Sequence, residues 1–136
     1  MKISFIIGIL LVTSISTRIL HADPQSDYML RCQGCHLPDG SGFVGKVPSL
    51  ENLGEFLSIQ GGREFLVQVP GTSQSVLTDA QTANVLNWIL QKFARDSLPG
   101  NFEPYTAAEV SKFRQQRLSD VNKVRKELIA RIQSTN

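Results

Sequence analysis

The chain has 136 residues, room for one compact domain with extensions. A composition of 41% hydrophobic and 19% charged residues excludes a disordered or collagen-like polymer. A formal charge of +2 argues against a nucleic-acid surface, and no apolar stretch reaches the roughly 18 residues of a membrane span.

The chain opens on Lys2, an apolar run from Ile3 to Val12 and a small, mostly polar stretch over 13–17, the layout of a secretory signal. Residues 1–22 are expected to be that signal, cut after Ala22, with Ser16 as the weaker site. The mature chain then begins near Asp23 in an exported, oxidising compartment, the periplasm. Asp23-Pro24 predicts a short helix running through Tyr28, Met29 and Leu30 into Cys32. Residues 37–47, with three glycines, read as a loop, and 49–60 as a short helix stopped by Gly61-Gly62. Over 63–69 the pattern fits either a strand or two helical turns, ended by Pro70-Gly71. Thr78-Asp79-Ala80-Gln81 has the form of a capping box and starts the clearest helix, carrying Val85, Leu86, Trp88, Ile89 and Phe93. A linker is expected over 97–105. A second capping box, Thr106 to Glu109, launches one long basic amphipathic helix to about Gln133, with Val110, Phe113, Val121, Val124, Leu128 and Ile132 on its apolar face. The reading is all-α: a body at 23–96, a linker at 97–105 and a C-terminal helix at 106–136.

The strong motif is Cys32-Gln33-Gly34-Cys35-His36. In a C-x-x-C-H run both thiols can add to the vinyl groups of one haem while the adjacent imidazole reaches its iron. A short disulfide, a redox C-x-x-C and half a zinc site are the competing readings. The redox motif wants a βαβ context and the zinc site a second ligand pair, and the chain offers only His21 besides. One covalent haem c per chain, with iron held by His36, is the expected cofactor.

From about Gln25 to Phe93 the sequence resembles the small class I cytochromes c. After the haem motif comes Leu37-Pro38-Asp39-Gly40-Ser41-Gly42, similar to that family's CH-x-x-x-G-x-G loop, and Val47-Pro48-Ser49-Leu50 stands where the family has G-P-x-L. The resemblance implies the small class I cytochrome c fold. It also implies that the Pro48 carbonyl accepts a hydrogen bond from the ligating imidazole, fixing its tautomer, and that Leu50 packs on the haem face. The helix from Thr78 would be the family's terminal helix, crossing the helix before the motif, with Trp88 and Tyr28 as core partners at the crossing.

The pattern breaks on the other side of the iron. The family's second axial ligand is usually a methionine in a Met-Pro pair; here the slot reads Val69-Pro70-Gly71, and valine cannot coordinate iron. Met29 lies three residues before Cys32, on the side His36 already occupies, and reads as a packing residue. Gln68 and Asn52 are weak candidates, because side-chain amides are poor haem ligands. Three functions follow. The first is a periplasmic electron carrier serving a redox protein or dehydrogenase. The second is a haem protein whose open distal site binds a small diatomic ligand, as sensor or scavenger. The third makes the haem structural and the final helix a docking element. No general-base constellation stands near the motif, so an enzyme is not expected. From Lys112 on, seven basic residues face two acids, whereas 23–111 holds five basic against ten acidic. The tail is thus expected outside the cytochrome-like region, its apolar face buried against the body or against another protein and its basic face a surface for a redox partner; nucleic acid and membrane are not expected partners. Arg63 is a candidate for a haem propionate, against the plainer reading of a surface arginine.

Overall fold

The computed structural model describes residues 23–135. The expected signal segment, with His21, therefore lies outside the described residues.

Helix α1, Pro24–Arg31, starts as its sequence demands: the Asp23 carboxylate accepts from Ser26 N, and Pro24 needs no amide partner in the first turn. A glycine-rich loop follows, pinched by the antiparallel bridge between Phe43 and Val47. The expected helix at 49–60 contracts to α2, Leu53–Phe56, with turns on either side. The ambiguous 63–69 segment is helical, α3 at Gly62–Gln68. Pro70 does not end structure there but opens a further turn, α4 at Pro70–Ser73, a helix N-terminus being the one place where its missing amide costs nothing. Helix α5, Asp79–Phe93, carries the predicted capping box, with Thr78 accepting from Gln81 N and Gln81 Oε1 accepting from Thr78 N at 3.1 Å. A 3-10 turn at Arg95–Ser97 closes the body. Among the described residues there is no β-strand, and no helix is long and apolar enough to cross a membrane.

The single long C-terminal helix is not formed. The Thr106–Glu109 capping box is present and starts α6, Ala107–Arg114, but the chain breaks over 115–120 and restarts as α7, Val121–Thr135. Asp120 Oδ1 accepts from Lys123 N at 2.9 Å, satisfying an amide that would otherwise lack a partner at the new N-terminus. The break lets α6 pack on α5 and α3 while α7 packs on α2 and α3.

Two apolar clusters organise the molecule. The first joins Tyr28 of α1 to Leu50, Leu77, Val85 and Ile89, with Trp88, Phe93 and Cys32 against it. The expected crossing is present: the Tyr28 ring lies 5.3 Å from both Trp88 and Phe93. The second cluster joins Phe56, Phe65, Leu66, Val67, Leu86 and Leu90 to Tyr105, Val110, Leu128 and Ile132. Tyr105 ends the expected linker and the other three lie in the tail, so of the two surfaces open to the tail's apolar face, the body or another protein, it is the body's core that these residues join. Tyr105 is fastened by Asn87, whose side chain donates to the Tyr105 carbonyl at 2.9 Å and accepts from its amide at 2.7 Å. Arg63 also has a structural use. Its guanidinium donates to Glu109 at 2.9 Å and to the Glu103 carbonyl at 2.8 Å and lies 4.3 Å from the Tyr105 ring centroid, so it faces the tail rather than a propionate.

Candidate haem-attachment site

The C-x-x-C-H turn hangs directly from the end of α1. The Cys32 amide closes the helix on the Tyr28 carbonyl at 2.8 Å, and the His36 amide turns back to the Cys32 carbonyl at 2.9 Å. That turn brings Cys32, Cys35 and His36 together at the surface. Both thiols are free; Cys32 is half-buried and Cys35 exposed. Burial, reinforced by the Asp27 carboxylate and by Cys35, pushes the Cys32 thiol up to about 11, so at neutral pH it is protonated.

Three contacts hold the loop beyond the motif. The Tyr28 hydroxyl, on a side chain with no exposed surface, donates to the Leu37 carbonyl at 2.6 Å. Gly40 takes φ +83°, and a Cβ there would meet the Phe93 ring at 2.5 Å, so the loop lies flat against α5 only because residue 40 is glycine. The Leu50 amide donates to the Gly40 carbonyl at 2.9 Å, fixing the distance from the motif to Pro48 and Leu50. Asp39 accepts from the Ser41 hydroxyl at 2.6 Å and the Ser41 amide at 3.0 Å, and these bonds hold its carboxyl below the usual range.

His36 sits half-buried under this loop. Desolvation lowers its pKa, while the backbone of Pro48 works in the opposite direction, as an acceptor facing an imidazole N–H would. The pair stops short of a well-formed hydrogen bond, and buried Nδ1 has no partner. Leu50 is buried in the Tyr28 cluster, beside Leu77. Met29 is 55% exposed on α1, so it is not the packing residue expected. It lies with exposed Leu30, Leu37, Phe43 and Val44 among the large apolar side chains that the fold leaves in solvent.

On the side where the resemblance puts a methionine, the connection from α3 to the Thr78 cap reads Val-Pro-Gly-Thr-Ser-Gln-Ser-Val-Leu, with no imidazole, thioether or thiol. Gln68 does not turn to that side as a free amide; it is buried and its Nε2 lies 3.5 Å from Gln116 Oε1 in the α6–α7 break. Asn52 is exposed at the N-cap position of α2, where its side chain makes no cap hydrogen bond.

No protein-family model matches the chain. Among individual proteins, it is 32% identical to a cytochrome c-552 of Thermus thermophilus over 108 aligned residues, spanning 65% of this chain and 82% of that relative. The chain belongs to the class I c-type cytochromes. A second cytochrome c-552 from that species is likewise 32% identical over 108 residues, 73% of its length. As a member of this family the chain is a haem c electron-transfer protein with an all-α fold, not a catalyst. The aligned 108 positions span only 65% of the 136 residues here, about 88, so about twenty positions of the relative face a gap in this chain.

Two elements of the site were not apparent from the sequence. Tyr28 reads as core, and its second use, as donor to the loop, depends on the carbonyl of Leu37 nine residues away. Arg114 reads as one more charge of a basic tail, yet it reaches back to the segment before α5.

Proposed function

We propose that this chain carries one covalent haem on Cys32 and Cys35, with His36 as its protein iron ligand, and exchanges single electrons with a redox partner outside the cytoplasm. The observation that carries the reading is the arrangement at one turn: two free thiols followed by an imidazole whose buried Nδ1 has no partner and which the Pro48 backbone faces as an acceptor. A haem bound there supplies reversible one-electron iron chemistry. The protein's part is positional. The loop contacts at Tyr28, Gly40 and Leu50 hold the imidazole in one orientation, Pro48 selects the Nδ1–H tautomer and leaves Nε2 for iron, and Leu50 supplies apolar surface. Met29 and Leu30 just before Cys32 and Leu37 just after His36 leave apolar surface exposed next to the motif in the chain, which suits contact with a partner. Export fits the cofactor, because covalent attachment in bacteria takes place outside the cytoplasm. The exposed basic residues of the tail, Lys112, Arg117, Lys123 and Lys126, favour an acidic protein partner over a membrane. An alkaline pyridine spectrum of the purified protein tests the reading: it should show haem with two thioether links. A spectrum of haem with free vinyl groups, or of no haem, would overturn it.

A second reading is favoured by one specific observation, the lack of any coordinating side chain over 69–77. With no methionine there, the distal side is open to a small diatomic ligand, and the protein senses or binds such a ligand. Carbon monoxide decides between the two: a ferrous spectrum that ignores the gas removes this reading and leaves the electron carrier.

A further inference from the structure

We infer that the buried carboxylate of Asp27, on the helix that leads into the motif, is a tuning residue for the haem: its charge favours oxidised iron and holds the reduction potential below that of the same fold with a neutral residue there. The inference rests on the haem reading above and adds a residue to it. Asp27 is 5% exposed, and its Oδ2 has no hydrogen-bond partner among the described residues. Other carboxylates of the fold are bonded: Asp39 to Ser41, Asp79 to Arg114 and Glu109 to Arg63. The last two make the ion pairs found among the described residues, and Asp27 is in neither. A charge taken out of water without a partner is costly. The first turn of α1, where Asp27 stands, offsets part of that cost, because a helix N-terminus carries partial positive charge. That use does not require burial, since an exposed acid in the same turn would serve the helix equally.

Its place in the chain decides what the charge acts on. Asp27 and Cys32 are five helical positions apart, about 7.5 Å along the axis of α1. Cys32 packs against the cluster built on Tyr28, the residue next to Asp27. The thiol itself registers the charge: after burial, the Asp27 carboxylate is the next cause that pushes Cys32 up to about 11. A thioether at Cys32 joins the porphyrin to the same sulfur that feels this field. Ferric haem carries one positive charge more than ferrous haem, so a carboxylate nearby stabilises the ferric form. Burial strengthens the effect, because neither water nor salt screens a buried charge as it does an exposed one.

The test compares the holoprotein with Asp27→Asn, close in shape but uncharged, and with Asp96→Asn, which removes an equal charge from an exposed position. All three are held at the applied potential that half-reduces the wild type, and the reduced-to-oxidised ratio is read from the visible spectrum at low and at high salt. Asp27→Asn should raise that ratio about fivefold or more at both salts, with the ferric and ferrous spectra themselves unchanged, while Asp96→Asn stays within about twofold. An unmoved ratio in Asp27→Asn would overturn the inference. So would an equal rise in Asp96→Asn, because net charge would then suffice, or a rise that vanishes at high salt. Altered spectra in Asp27→Asn would overturn it too, because the substitution would then act through iron coordination. Should Asp27→Asn fail to fold, Asp27→Ser decides by the same ratio. A chain without covalent haem would sink the proposed function and this inference together, whereas covalent haem with an unmoved ratio sinks the inference alone.

Discussion

Leu128→Ala in α7 tests whether the tail belongs to the body. Leu128 is 4% exposed and sits in the cluster with Phe56, Phe65 and Leu66, its Cδ2 lying over Gly61. Truncating a fully buried leucine removes its transfer free energy and leaves a cavity that helices on both sides cannot close, a loss of about 3 kcal/mol. For a domain of this size each kcal/mol lowers Tm by about 4 °C, so the variant should melt about 12 °C below wild type. Lys126→Ala, an exposed change one turn-face away, should stay within about 0.5 kcal/mol. Melting would be followed by far-ultraviolet circular dichroism and by the haem band, and the two probes should move together. A Leu128→Ala protein melting within about 2 °C of wild type would refute the shared core, as would loss of tail helicity at unchanged haem-band melting.

Three further outcomes follow from the geometry. Gly40→Ala forces a Cβ into the Phe93 ring at positive φ and should cost about 1–3 kcal/mol, whereas Gly71→Ala, with nothing within 4 Å, should be neutral; equal melting temperatures for the two would discredit the loop packing. The Arg114 bond holds the Asp79 carboxyl below its ordinary pKa. A depressed folded-state pKa gives stability that is fully present above the unfolded value of about 4 and is lost as pH falls through the folded value. The Tm gap between wild type and Asp79→Asn should accordingly narrow from pH 7 toward pH 3, and a constant gap would show that the pair is not what the substitution removes. Tyr28→Phe removes the donor to Leu37 and should loosen the loop by about 1 kcal/mol, seen as faster exchange at the loop amides of 37–41; unchanged exchange there would mean the hydroxyl is dispensable.

What the sequence made legible was local. Both capping boxes and the Asp23-Pro24 start are short patterns whose partners lie within a few residues, and each stands where expected. The tail break hides in the apolar spacing: Phe113 and Val121 stand eight positions apart, and Ser119-Asp120 is an N-cap signal inside that gap. The 63–69 helix was ambiguous because Phe65, Val67 and Val69 alternate; burial of Phe65, Leu66 and Val67 together in the core allows a helix to satisfy the same residues. Arg63 and Arg114 could not be placed from sequence at all. Their partners are mainly backbone carbonyls and carboxylates 35 to 46 residues distant, and a carbonyl leaves no mark in a sequence. The charge asymmetry survives, but its meaning has changed, since Arg114, one of the seven basic residues, is spent inside the fold rather than offered to a partner.

The central claim is that haem is bonded to this turn. Its most direct test is the intact mass of the protein purified from a host able to attach c-type haem, taken after acid denaturation and organic extraction, together with Cys32→Ser/Cys35→Ser. The account predicts a wild-type chain heavier by one haem that extraction does not remove, and a double variant with none. A wild-type chain at its bare polypeptide mass, or one that surrenders its haem to the organic phase, would contradict it.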